Sequence, residues 1–399
     1  MTERHRLAIG AALAVAGAIV LFLWVQWTIA VIPDGFDQSG TPVGWDFRAF
    51  HSAATLMSRG AASAMYDWPF PAGLSGPPFV NPPFTAFFFL PFVAIDVVPA
   101  WGIWTVLSIV GMAAGFRALG VPSWPTASVA ALLTVPVFFA LRLGQTSLVV
   151  FLLMSLSYAA LSRGRLKGGG AILGFVIFKP QLLIGFVFWW LSRWRTMRPA
   201  IVGGFATGGF LIAASLLIFP NAWIRFLEVA PTLPSLYAFG DSPYYEFAMW
   251  NVFVSDIAAD PAIISWLSLA LTLVTGAALV WFVRRVNDDL ALAFSGAVVV
   301  ALIGAAHIVV HDWALLLIPV VLLWYRLPEQ RPAWTAMGIA LLYTTLLSPF
   351  FVLYQLDAFG IALNVAPIVL LVCTVIAARI AIARIETEDA DREVDLASS

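Results

Sequence analysis

PAWGIWTVLSIVGMAAGFR, residues 99–117, carries no charged side chain before its final arginine. A helix of that length rises about 28 Å, close to the hydrocarbon thickness of a bilayer, about 30 Å. Comparable apolar runs recur outward from it in both directions: Leu7–Ile32, Thr126–Ala140, Thr146–Leu161, Gly169–Leu191, Ala200–Phe219, Ala262–Val283, Leu290–Ala306, Ala314–Trp324, Trp334–Ser348 and Ile361–Ala383. Pro83–Ile95 is too short to span comfortably and reads as a half-helix or tilted segment.

Composition agrees. The chain is 61% hydrophobic and 11% charged, with mean hydropathy +0.93, where soluble domains are about 45–50% apolar and about 25% charged. The runs are too long and too continuous for the alternating strands of a membrane β-barrel. The expectation is an all-α polytopic membrane protein of about 11–13 transmembrane helices, forming one integral membrane domain over 1–399. Met1–Arg6 ahead of Leu7–Ile32 resembles a signal peptide, but no small-residue cleavage site closes the run, so it reads as a retained helix with a cytoplasmic N-terminus. The single Cys373 excludes a disulfide framework.

Arginine and lysine gather in alternate connections, at Arg117, Arg163–Lys167, Arg193–Arg198, Arg284-Arg285 and Arg379–Arg384, which the positive-inside rule assigns to the cytoplasm. Alternation then delivers Asp46, Gln145, Lys179, Tyr244–Glu246 and His307–Asp312 to the opposite face, without using their own charges. That placement requires Gly169–Leu191 to break near Lys179-Pro180, where proline removes a backbone donor and lysine is costly at depth.

Two outside loops hold much of the remaining polarity. Residues 33–82 contain WDFRAFHSAATLMSRGAASAMYDW, with Phe50, Ala54, Met57 and Ala61 or Ala62 on one helical face, which predicts a helix along the membrane surface. Residues 220–261 are rich in aromatics, among them Tyr244 and Tyr245 beside Glu246, and read either as a sugar-stacking wall or as an interfacial belt. The acidic end, 385–399, reads as a solvated cytoplasmic tail. Gly168–Gly170 and Gly203-Gly204 serve helix packing or oligomerisation equally well.

Each polar residue has competing roles. Asp46 is a catalytic base or the N-cap of the surface helix. Lys179 binds phosphate or pairs internally with Glu228 or Glu246. Arg142 clamps the same phosphate or snorkels to the interface. Gln145 donates to a sugar hydroxyl or to its own helix turn. His307 and His311 share a helix face beside Asp312, and contact phosphate or acceptor, or serve structurally. The set is too small for a metal site, so no metal is expected. Asp67 reads as part of a turn or as a second carboxylate near Asp46, and Asn81, before Pro82-Pro83, as an extended entry whose side chain faces the cavity.

Asp46-Phe47 after the first helix, Gly60 to Tyr66-Asp67, Asn81-Pro82-Pro83-Phe84, Gly144-Gln145, Gly174 to Lys179-Pro180 and a late His-Asp together resemble glycosyltransferase family 87, over roughly residues 7–325. The resemblance implies a bundle of the GT-C type and a polyprenyl-phosphate-sugar-dependent transferase, mannosyltransferases included. It implies Asp46 as the base and a late histidine on the lipid phosphate, with His311 favoured over His307. Gln145, Asn81, His51, Tyr244, Tyr245 and Glu246 are the candidate sugar or acceptor contacts, and His51 stands outside the family's pattern. Where the family often has an aromatic hydroxyl four residues after the acid, this chain has Phe50. No cofactor is implied beyond the lipid-linked donor. The expected partners are membrane lipid, that donor, and a glycolipid or glycan acceptor, with no nucleic acid and no obligatory protein. The expected location is a bacterial inner membrane with the active site outside. The alternative class is a secondary transporter, which predicts paired repeats and midplane charges that the sequence does not display.

Overall fold

The computed structural model of the chain describes residues 17–28, 42–232, 250, 254, 260–286, 289–305, 308–326, 338 and 366–398. These residues are overwhelmingly helical, and the protein is an all-α polytopic membrane protein. Among them, Val97–Ala118, Trp194–Ile218 and Ala262–Arg285 are long and apolar enough to cross a membrane, and a bent helix pair makes a fourth candidate. The helix count expected from the sequence is larger, and part of it, including Trp334–Ser348, lies outside the described residues. The chain divides into two compact units, one within Ala18–Pro180 and Pro199–Tyr245, the other within Met1–Gly17, Gln181–Arg198 and Glu246–Ser399.

In the first unit the helices are α1 (Gly17–Thr28), α2 (Trp45–Ser58), α3 (Val97–Ala118), α4 (Trp124–Leu132), α5 (Val135–Leu143), α6 (Ser147–Leu161), α7 (Leu166–Gly174), most of α9 (Trp194–Ile218) and α10 (Pro220–Val229), with 3-10 turns at Ala62–Tyr66, Pro83–Phe92 and Phe175–Phe178. The helix expected over the first outside loop forms as α2. Its predicted face, Phe50, Ala54 and Met57, is buried, and so are Phe47, Ala49 and Ala53 on its other sides. Pro83–Phe92 and the turn at Ala62–Tyr66 cover it, and Phe50 stacks on Phe89 with ring centroids 4.6 Å apart.

The run Thr126–Ala140, expected as one span, is two short helices bent by 76°. Pro136 explains the break: it lacks an N–H, and its ring excludes a helical carbonyl four residues back, at Leu132. Thr134 turns extended, φ −112° and ψ 141°, and α5 starts afresh with Pro136 in its first turn. The glycine runs serve packing within the chain. A Cβ on Gly170 would collide with the Ala200 carbonyl, and one on Gly203 with the Lys167 carbonyl, so α7 and α9 lie backbone to backbone.

The second unit contains α8 (Ile184–Ser192), α11 (Pro261–Arg285), α12 (Leu290–Gly304), a 3-10 turn at Val310–Leu316, α13 (Leu317–Arg326) and α14 (Ala366–Ser398). The middle helix, α12, is buried along nearly its whole length, and Gly185 of α8 rests on its Ala297 backbone. Asp289 caps α12 by accepting from Leu292 N at 3.1 Å. The acidic tail continues the last apolar run as a single helix, α14.

Candidate active site

Two glycines set the geometry at the start of α2. Gly44, at its N-cap, is left-handed with φ 61°, and its N–H donates to the Arg142 carbonyl at the end of α5, 3.2 Å away. Gly144, with φ 72°, ends α5 in a Schellman motif: its N–H donates to Leu141 O at 3.1 Å and Gln145 N–H to Ala140 O at 2.8 Å. A Cβ on Gly144 would stand 2.5 Å from Phe47 Cβ, and one on Gly44 2.5 Å from Trp101 Cδ1. No other residue type allows both the positive φ and the contact. Trp101 of α3 closes this junction by donating Nε1–H to Leu141 O at 3.1 Å.

The consequence falls on the next residues. Gln145 Nε2 donates to Asp46 Oδ2 at 2.7 Å, and Gln145 Oε1 accepts from Thr146 N at 3.3 Å. Asp46 is the second residue of α2, not its N-cap, because Gly44 occupies that position and receives no side-chain cap bond. The cap reading of Asp46 therefore gives way to a carboxylate gripped from the α5–α6 connection. Gln145 correspondingly directs its amide to Asp46.

Lys179 meets this elbow at Ser147, two residues beyond Gln145. The residue before a proline is driven out of the helical region, and Lys179 has φ −126° and ψ 68° between Phe175–Phe178 and Pro180. The break expected at Lys179-Pro180 is thus present. The residue is 7% exposed, and its ammonium donates to Ser147 Oγ at 3.5 Å. Glu228 is not its partner: Arg225 of α10 bonds Glu228 at 3.1 Å and Asp67 at 3.0 Å. Asp67, exposed at the end of the Ala62–Tyr66 turn, accordingly belongs to a surface ion pair with α10.

The other expected site residues are distributed as follows. Arg142 sits in the last turn of α5, with its guanidinium 5.6 Å from the centre of the Phe139 ring. His51 lies on α2, and its Nε2 faces the carbonyl oxygens of Phe92 at 3.2 Å and Ile95 at 3.1 Å, a bond pattern that ties α2 to the end of Pro83–Phe92. Asn81 gives its carbonyl to the Tyr66 hydroxyl at 2.8 Å. His311, in the second unit, is 1% exposed beside the equally buried Asp312, with Nε2 and Oδ2 3.8 Å apart. His307, Tyr244, Tyr245 and Glu246 lie outside the described residues. Among the described residues no three histidine, cysteine or acidic side chains gather as a metal-ligand set.

Arg48 escaped the sequence reading. Half-buried on the first turn of α2, it donates Nε–H to Val43 O at 2.9 Å and Nη1–H to Ser75 Oγ at 3.1 Å, and burial lowers its pKa. With Ser52, whose hydroxyl donates to Ser75 O at 2.8 Å, it fastens the 70–79 loop to the helix that carries Asp46. The signal available in sequence was only a charge at an otherwise covered helical position.

The model of glycosyltransferase family 87 matches residues 79–310, more than half of the chain. The chain belongs to glycosyltransferase family 87. The stretch that matches this glycosyltransferase model includes Arg142, Gln145 and Lys179 and begins beyond Asp46. No curated protein and no solved structure matches it. A membrane glycosyltransferase needs a base and an environment for a leaving group, and the α2–α5–α6 junction assembles a carboxylate and a buried cation around three consecutive residues, Gln145 to Ser147.

Proposed function

We infer that this glycosyltransferase moves a hexose, mannose foremost, from a polyprenyl-phosphate sugar to a glycolipid or cell-envelope glycan, at the extracytoplasmic face of a bacterial inner membrane and within a GT-C-type bundle. The observation that carries this reading is the Asp46 carboxylate held at 2.7 Å by Gln145. A sugar linked to a lipid phosphate already has a good leaving group. Transfer therefore needs a base for the acceptor hydroxyl and positive charge for the departing phosphate, but no strong acid.

The acceptor oxygen attacks the sugar C1 from the face opposite the phosphate. Its proton passes to Asp46, the new C1–O bond forms as the C1–O bond to phosphate breaks, and the configuration inverts. The electron pair of the broken bond leaves on the polyprenyl phosphate, whose charge Lys179 offsets, with Arg142 as a further cationic group. Asp46 then releases its proton to solvent. The apolar runs support a lipid-borne donor, since its tail reaches a pocket between helices sideways from the bilayer.

The test is transfer of labelled sugar from a panel of polyprenyl-phosphate sugars to membrane lipid extract, by wild type and by Asp46→Asn at matched folding. Loss of transfer in Asp46→Asn supports the reading and names the donor. Equal activity in both removes Asp46 from the chemistry.

A further inference from the structure

Thr146 occupies the N-cap of the 15-residue α6, where a threonine hydroxyl ordinarily accepts from its own helix's first N–H groups. Here it makes no such bond. Its side chain is 3% exposed, and Oγ1 has no hydrogen-bond partner among the described residues. An unsatisfied buried hydroxyl is costly, so its retention at this point needs a reason. The next residue supplies one: Ser147 Oγ receives the ammonium of the buried Lys179 at 3.5 Å. A helix N-terminus presents partial positive charge and N–H donors, a hydroxyl without a partner adds a donor, and a lysine adds a full charge.

We propose that the first turn of α6, with Thr146 Oγ1, the adjoining Ser147 and Lys179 Nζ, is a binding site for a phosphate monoester or diester anion. The proposal rests on the functional reading above and extends it to residues that reading does not use. It gives the α5–α6 elbow two roles in three consecutive residues: Gln145 holds the base, and Thr146 and Ser147 hold the leaving group. The hydroxyl of Thr146 donates to a phosphate oxygen, which satisfies it only when the ligand is present.

The experiment measures calorimetric binding of farnesyl phosphate, farnesol and inorganic phosphate to the full chain in detergent, alongside thermal unfolding and sugar transfer. Thr146→Val removes one oxygen at nearly constant volume. It is expected to weaken farnesyl phosphate binding about tenfold, to leave farnesol binding unchanged, and to hold or raise the melting temperature, because the deleted hydroxyl has no partner in the free protein. Lys179→Met is expected to weaken the same binding at least as much, Thr146→Ser to restore it, and Ser155→Ala, further along α6 and bonded within its own helix at 2.7 Å, to leave it unaltered. Thr146-dependent binding of inorganic phosphate as well assigns recognition to the phosphate group alone. Thr146-dependent binding of farnesyl phosphate without inorganic phosphate assigns it to a lipid-linked phosphate, and either result upholds the site. Undiminished farnesyl phosphate binding in Thr146→Val, or a fall in its melting temperature, overturns it. Phosphate binding that depends on Thr146 without transfer from any lipid-phosphate donor would instead overturn the donor reading and leave the site standing.

Discussion

Gln145 donates its side-chain amide to Asp46 Oδ2 across 2.7 Å and 99 residues of sequence. That bond fixes the orientation of the carboxylate and favours its charged form, the form that takes a proton. Replacement of Gln145 by leucine is expected to lower kcat about tenfold or more, the scale of a hydrogen bond to a charged group, with a smaller effect on the KM for donor. Steady-state kinetics of Gln145→Leu against Gln145→Asn checks this, since the shorter amide keeps the donor and loses only reach. A change confined to KM would sink it.

The two left-handed glycines are the structural condition for that bond. Gly144→Ala forces a side chain into φ 72° and against Phe47 Cβ. The left-handed conformation alone costs about 1–2 kcal/mol, and the clash adds to it. A lower melting temperature and a loss of transfer are expected together, read by thermal unfolding in detergent, whereas Gly164→Ala, φ 73° in open space, isolates the conformational cost.

Lys179 combines burial with charge. Lys179→Met is expected to raise the KM for lipid-linked donor and depress kcat/KM strongly while the protein remains folded, because a buried ammonium contributes less to stability than to ligand charge. Lys179→Arg tests the geometry: partial activity is expected from a charge that no longer fits the pocket beside Ser147. Full activity in Lys179→Met would exclude the residue from substrate binding.

The loop around the site titrates in an alkaline window. Tyr66 is buried, and burial pushes its hydroxyl well above the usual tyrosine range while it donates to Asn81 O. A group whose folded pKa is raised contributes stability below its unfolded pKa, about 10, and loses it as pH rises further. Melting temperature is therefore expected to fall above about pH 10, and Tyr66→Phe to reduce that fall. At neutral pH the same variant leaves a carbonyl without its donor, at a cost of about 1 kcal/mol.

The ion pairs of Arg225 with Asp67 and Glu228 are exposed and screened by solvent. Asp67→Asn and Arg225→Gln are each expected to leave melting temperature and transfer close to wild type, with any coupling between them vanishing at high salt. A large loss of transfer in Asp67→Asn would return that carboxylate to the chemistry.

Local chemistry was legible before the fold. The break at Lys179-Pro180 follows from a proline's missing donor and its effect on the residue before it, and the structure has it there. The bend before Pro136 was equally local, yet the continuous apolar run around it concealed the break. Glu228 looked available to Lys179 in sequence, and Arg225 three residues earlier takes it. His51 reads in sequence as a sugar or acceptor contact, and only the fold shows that its Nε2 faces the backbone carbonyls of Phe92 and Ile95.

What the sequence by itself determined is the class of the protein: apolar runs of bilayer length leave a chain no soluble alternative, and helices satisfy their own backbone groups within each run. The match over residues 79–310 identifies the family from the same linear information. The tertiary structure decided which polar groups meet. Asp46 and Gln145 are brought together by two left-handed turns and a tryptophan that closes the junction, and Lys179 meets Ser147 across 32 residues of sequence; periodicity carries no record of such contacts because it reports only the face a residue shares with its near neighbours.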